Sequence, residues 1–230
     1  MCDSYEKFLL RFVRYRQQKG MTQKETGCIL GINQSQFSKL ELGKVIISYK
    51  DLKALMEAGW DVDYLLTGKK SLFCGPELNK MISLPIEEKG KGELLSVLVW
   101  LLEQGIDKSS INISFETKCE LQILKKRAKD KDSKTILHEV RQIIGMAQIP
   151  MSEKLGVNIK KYRMLEKEQA YPDAELLLRI YEETGCKPSL LLGIAHIEER
   201  IISDLWNQIA PDVQKKILPL VEQVVWFLKS

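Results

Sequence analysis

The chain repeats itself at a fixed spacing of 125 residues, which restricts it to a fold that can be built twice. Arg16-Gln17, Gly20-Met21, Gln23, Leu30-Gly31, Asn33 and Leu40-Glu41 return as Arg141-Gln142, Gly145-Met146, Gln148, Leu155-Gly156, Asn158 and Leu165-Glu166. The register holds without a gap to Leu65-Leu66 and Gly68, matched by Leu190-Leu191 and Gly193. Beyond each copy come a proline, a polar helical turn and an apolar run ending in tryptophan: Pro85 before Leu94 to Trp100, and Pro211 before Leu220 to Trp226. This second part of the match, at a spacing of 126, is weaker, since apolar helices resemble one another. The pattern divides the chain into a head (residues 1–68), a helical appendix with a charged linker (69–134), a second, divergent head (135–193) and a C-terminal helical appendix (194–230).

Within the first head the apolar spacing is helical. Tyr5 to Lys19 carries Phe8, Leu9, Phe12 and Tyr15 on one face, and Gly20 is a C-cap. Thr22-Gln23-Lys24-Glu25 is a capping box that opens a short second helix ending at Leu30-Gly31. Asn33 is a good N-cap for a third helix from Gln34 to about Leu42, with Phe37 and Leu40 inward and Gly43 as its stop. A fourth helix is expected over Ser48 to Ala58 and a fifth from Val62 to Leu66. Where the two short helices cross, the residue must be small, and Gly27 and Ser152 both are.

Composition narrows the function. Lys and Arg exceed Asp and Glu by 35 to 31, a mildly basic balance that permits a nucleic-acid partner without requiring one. The longest apolar run, Leu94 to Leu102, is about half of what a membrane span needs, and the N-terminus lacks a secretory pattern. A cytoplasmic location is therefore expected. Cys2, Cys28, Cys74, Cys119 and Cys186 are odd in number and form no CxxC pair, which argues against a disulfide framework and a zinc site. His138 and His196 stand in no ligand spacing. No P-loop, dinucleotide glycine motif or triad-like arrangement is present, so no catalytic residue, metal or cofactor is expected. In the linker, Ile111 to Phe115 alternates like a short strand, and Lys125 to Lys134 reads as a solvated helix end and linker.

Residues 8–68 resemble the Cro/lambda-repressor (XRE-type) helix-turn-helix family. The likeness rests on Gly20-Met21-Thr22-Gln23, Leu30-Gly31-Ile32, Phe37 to Lys44 and the closing Asp61 to Gly68. Residues 136–193 follow the same pattern more loosely. The resemblance implies an all-α fold with two tandem five-helix heads, each followed by a helical appendix, and double-stranded DNA as partner.

In such a head the third helix enters the major groove. Carried onto this chain, Gln34, Ser35 and Lys39 are the base-contact candidates, and Gln23, Ser38 and Lys44 the backbone-contact candidates. The resemblance also implies an ion pair, Arg16 with Glu41, that holds the third helix without touching bases. Arg141 and Glu166 recur at the matching positions.

The second head keeps the core and changes the DNA face. Ala147 replaces the capping Thr, Pro150 enters the second helix, and Glu168 replaces Gly43. Ile159, Lys160, Arg163 and Met164 occupy the groove-facing helix, and Gln148, Lys160 and Arg163 are the contact candidates if this head binds DNA. Its other reading is a head turned to assembly or sensing. Trp100 and Trp226 are either core or an interface. The leading function is a transcriptional regulator, a repressor above all, acting as a homodimer or as an intramolecular pseudo-dimer. The alternative is an antitoxin or a peptide- or protein-sensing regulator whose second head serves assembly or ligand binding.

Overall fold

Each of the second to fifth helices of the first head begins at a side chain that satisfies the amides a helix start leaves bare. The computed structural model describes residues 3–70, 88–109, 114–129, 135–193 and 197–229. Its first five helices are α1 (Asp3–Gln18), α2 (Gln23–Leu30), α3 (Gln34–Glu41), α4 (Tyr49–Glu57) and α5 (Val62–Thr67). Thr22, Asn33 and Ser48 exchange two hydrogen bonds with Glu25, Gln36 and Asp51, and Asp61 accepts from the Tyr64 amide. α1 begins two residues before the expected Tyr5 and stops one before Lys19. Gly20, at φ +68°, turns the chain so that the amides of Gly20 and Met21 donate back to Gln17 and Arg16.

The buried face of α1 supplies an aromatic chain. Tyr5, Phe8 and Phe12 follow one another at ring distances of 5.3 and 5.9 Å, and Phe12 meets Phe37 of α3 and Trp60 at 5.7 and 5.6 Å. Leu52, Leu55, Leu65 and Leu66 close the core around them. Arg11 reaches across to the last turn of α5, where its Nε donates to the Leu65 carbonyl at 2.7 Å and its Nη2 to that of Leu66.

Residues 135–193 form α8 (Ile136–Ile143), α9 (Gln148–Lys154), α10 (Ile159–Glu166), α11 (Ala174–Thr184) and α12 (Pro188–Leu191). α8 is half the length of α1. α9 starts at Ala147 with no side-chain cap bond, and Glu168 takes φ +54° where Gly43 has φ +68°. These two departures leave α9 and α10 less well terminated than α2 and α3.

By its contacts the chain divides into two compact units, Met1–Ser71 with Thr135–Ile194 and Leu72–Lys134 with Ala195–Ser230. Residues 3–70 and 135–193 therefore lie in one unit. They share a core, since Ala174, Leu177, Leu178 and Leu192 are buried in the same cluster as Phe8 and Leu65. α5 packs on α12, and α1 and α5 both pack on α11.

The second unit contains α6 (Glu88–Lys108), α7 (Phe115–Lys129), α13 (Ile197–Trp206) and α14 (Pro211–Lys229). α6 packs against the other three, and α7 also packs on α13. Gly105 allows this closeness, because a Cβ there would lie 2.7 Å from Ile209 and 2.8 Å from Ile217.

Three expectations change. Phe115 opens α7 and is not the end of a strand, and no strand occurs among the described residues. Alternation over so few residues loses to the helical packing of Cys119, Ile123 and Leu124. Lys125 and Arg127 are part of the helix end and are not merely solvated: Lys125 pairs with Glu103, and Arg127 with Glu198 at 2.7 Å. Trp100 and Trp226 are 58 % and 72 % exposed, so the core reading of these side chains fails. Cys2, Cys74, Pro85, Ile111 to Ile113, Asp130 to Lys134 and His196 lie outside the described residues.

Candidate nucleic-acid interface

α2 and α3 meet through a tight turn that only a small residue permits. A Cβ on Gly27 would sit 2.9 Å from the Ile32 carbonyl oxygen and 3.5 Å from the Phe37 Cβ. Gly31 closes α2 in the left-handed conformation, at φ +69°, and Asn33 starts α3 two residues later. The outer face of α3 then presents Gln34, Ser35 and Lys39 to solvent, with Ser38 half-buried beside them. Lys44, just past the helix, is also exposed. The three base-contact candidates thus share one accessible helix, and Lys44 flanks it.

Gln23 is placed differently from a free phosphate ligand. Its Nε2 donates to Glu41 Oε2 at 2.7 Å. Glu41 also receives Arg16, whose Nε lies 2.6 Å from its Oε1, while Arg16 Nη1 donates to the Met21 carbonyl at 2.6 Å. The side chains of Arg16 and Glu41 are only 12 % and 5 % exposed. One carboxylate thereby ties α1, the start of α2 and the end of α3 together, and the attitude of α3 follows from that knot.

The same arrangement recurs in α8 to α10. Arg141 Nε bonds Glu166, Arg141 Nη1 donates to the Met146 carbonyl at 2.8 Å, and Gln148 Nε2 donates to Glu166 Oε2 at 2.6 Å. Two residues join it that the spacing argument missed. Tyr162, the counterpart of Phe37, donates its hydroxyl to Glu166 at 3.0 Å. The signal was the added hydroxyl, since a buried tyrosine needs a polar partner. Burial and the neighbouring Glu166 push the Tyr162 hydroxyl well above its ordinary pKa. Burial opposes the charge of Glu166, but the bonds from Arg141, Gln148 and Tyr162 outweigh it and hold the group below the usual carboxylate range.

Arg163 is the other addition. Its Nε donates to Gln148 Oε1 at 3.2 Å, so Arg141, Glu166, Gln148 and Arg163 form a relay from the core to the outer face of α10. Ile159, Lys160, Arg163, Met164, Lys167 and Gln169 line a hollow of about 210 Å³ on that face.

The loops that follow α3 and α10 touch each other. The Ala174 amide donates to the Ile47 carbonyl at 3.0 Å, and the rings of Tyr49 and Tyr171 stack at 4.4 Å. Ser48, Tyr49, Lys50, Lys53, Tyr171 and Asp173 border a groove of about 570 Å³ there.

Residues 14–58 match the model of the helix-turn-helix family. The match runs from the C-terminal part of α1 through α4 and so contains the whole α2–turn–α3 unit. Over this segment the chain is similar to the DNA-binding helix-turn-helix domains of the XRE type. No curated protein and no solved structure matches the chain. No helix among the described residues is long and apolar enough to cross a membrane.

Proposed function

We propose that the chain is a sequence-specific transcriptional regulator, a repressor, in which α3 reads the major groove through Gln34, Ser35 and Lys39. Gln can bond adenine by two hydrogen bonds and Lys favours the acceptors of guanine. Ser38 and Lys44 meet the backbone. Gln23 acts through its amide at the start of α2, because its side chain is held by Glu41.

We further propose that α8–α12 is a diverged second copy of the head and that one chain supplies both halves of an operator reader. The carrying observation is the contact of α5 with α12. These elements occupy equivalent places in the repeat, and such a meeting is what a two-fold pairing of the two copies would make. The merged core and the joined loops after α3 and α10 support it, since they hold the two helices in one unit.

Selection of sites from random duplex DNA with the full chain tests both statements, together with the stoichiometry of the complex by sedimentation. The expected result is a two-part, non-palindromic site bound by a single chain. A palindromic site bound by two chains would overturn the pseudo-dimer and keep the regulator. Absence of any motif at low salt would overturn the DNA reader. It would favour the peptide- or protein-sensing alternative, for which the exposed Trp100, Trp226 and Phe227 of the second unit are the supporting observation.

A further inference from the structure

Polar groups cover the outer face of α3, but α10 carries two apolar side chains on the matching face. At the place of Gln34 stands Ile159, half-buried, and at the place of Lys39 stands Met164, 36 % exposed. Both line the 210 Å³ hollow, together with the cations Lys160, Arg163 and Lys167. The hollow is preformed on one side, because Arg163 is held by Gln148 and Gln148 by Glu166. Ile and Met cannot discriminate base edges by hydrogen bonds. Apolar side chains among cations on one hollow fit one feature of the major groove, a methyl group projecting from a pyrimidine between phosphates and purine acceptors.

We propose that α10 recognises the C5-methyl group of a pyrimidine in its half-site, with Ile159 and Met164 contacting the methyl and Lys160 and Arg163 holding the adjacent guanine or phosphate oxygens. The proposal rests on the reading of α8–α12 as a DNA-binding head. Thymine carries this methyl in all DNA, and 5-methylcytosine carries it at the same ring position in modified DNA. The two heads then read by different chemistry, hydrogen bonds on the α3 side and apolar contact on the α10 side.

The test uses the full chain and the duplex obtained by selection. The Gln34→Ala, Lys39→Ala variant first identifies which half-site belongs to α3. Thymines of the other half are then replaced singly by deoxyuridine, which removes only the methyl, and affinity is measured by fluorescence anisotropy. Loss of about fourfold at one or two positions is expected, the value of one buried methylene-sized group. Met164→Ser, a change at an exposed position checked by its thermal melt, should erase that difference between thymine and uracil. In a duplex with cytosine at the sensitive position, 5-methylcytosine restores affinity if the hollow takes the methyl from either source, and fails to do so if thymine alone is the ligand. Equal affinity for thymine and uracil throughout that half-site would overturn the proposal while leaving the second head a DNA reader. If scrambling that half-site leaves affinity unchanged, the second head does not read DNA, and the underlying reading fails with it.

Discussion

Asp63 of α5 receives Ser189 of α12 on both carboxylate oxygens: the Ser189 amide donates to Oδ1 at 2.9 Å and its hydroxyl to Oδ2 at 2.6 Å. The two residues are 2 % and 3 % exposed. Asp63→Ala would leave a buried amide and a buried hydroxyl without these bonds, at a cost of about 1–3 kcal/mol. Urea unfolding is expected to show that loss. Ser189→Ala, which removes one donor and strands no amide, should cost less.

Arg16 and Glu41 form another buried polar joint, and its removal should be strongly non-additive. Arg16→Met leaves Glu41 charged and largely shielded from water, which costs about 3–5 kcal/mol. Adding Glu41→Leu removes the stranded charge, and much of the loss should return. A double-mutant cycle followed by denaturant unfolding measures the coupling. A simple sum of the two single effects would show that the pair does not hold α3.

On the DNA face, base and backbone contacts should separate by their salt dependence. Gln34→Ala is expected to cost about 1–3 kcal/mol on the preferred site and to relax preference at one base pair. Lys44→Ala should weaken all sequences alike and reduce the slope of log K against log salt by about 1. Titrations of preferred and scrambled duplexes at several salt concentrations distinguish them.

On the proposed reading of α8–α12 as a second copy, its helix ends can be repaired with the chemistry of α2 and α3. Ala147→Thr alone has no amide to cap at the third position of α9, which is Pro150; Ala147→Thr with Pro150→Glu rebuilds the Thr22–Glu25 pair of α2 and is expected to stabilise by about 1 kcal/mol. Glu168→Gly relieves a left-handed backbone that costs a side-chain-bearing residue about 1–2 kcal/mol, less the extra chain entropy of glycine. Both variants should melt at higher temperature than the parent chain, and neither should alter DNA binding by α3.

Glu166 should make stability depend on acid. Its folded pKa lies below the usual carboxylate range, whereas in the unfolded chain it titrates normally. Its contribution is therefore complete above the unfolded value. That contribution declines as pH falls through the ordinary carboxylate range and on through the depressed folded one. Comparing Glu166→Gln with the parent, the stability difference should shrink as pH is lowered from 6 towards about 3. A difference constant with pH would mean that Glu166 gains nothing from its charge.

What could be read in advance was local. Thr22 and Asn33 announce their helices because a cap acts within three residues. The pairing of Arg16 with Glu41 is what the family resemblance implies, and the repeat carries it to Arg141 and Glu166. The capture of Gln23 by Glu41 was not legible, because it depends on where the end of α3 comes to lie. Nor was the pairing of heads in one unit and of α6, α7, α13 and α14 in the other. Leu177 and Leu178 would serve equally well in a private core, and only the fold shows that they lie beside Phe8 and Leu65. Trp100 and Trp226 stay open between core and interface in the sequence for a related reason: an apolar helix in a bundle always has an outer side, and periodicity alone does not say which residue takes it.

The order in which the units draw on the chain, first, second, first, second, governs how the molecule is made. On the ribosome, α1–α5 emerge with the surface destined for α11 and α12 still bare, and α6 and α7 emerge before α13 and α14 exist. At ordinary synthesis rates that exposure lasts on the order of ten seconds. A message cut short near its middle would thus release a half with two open apolar faces, a substrate for chaperones or for a second such half.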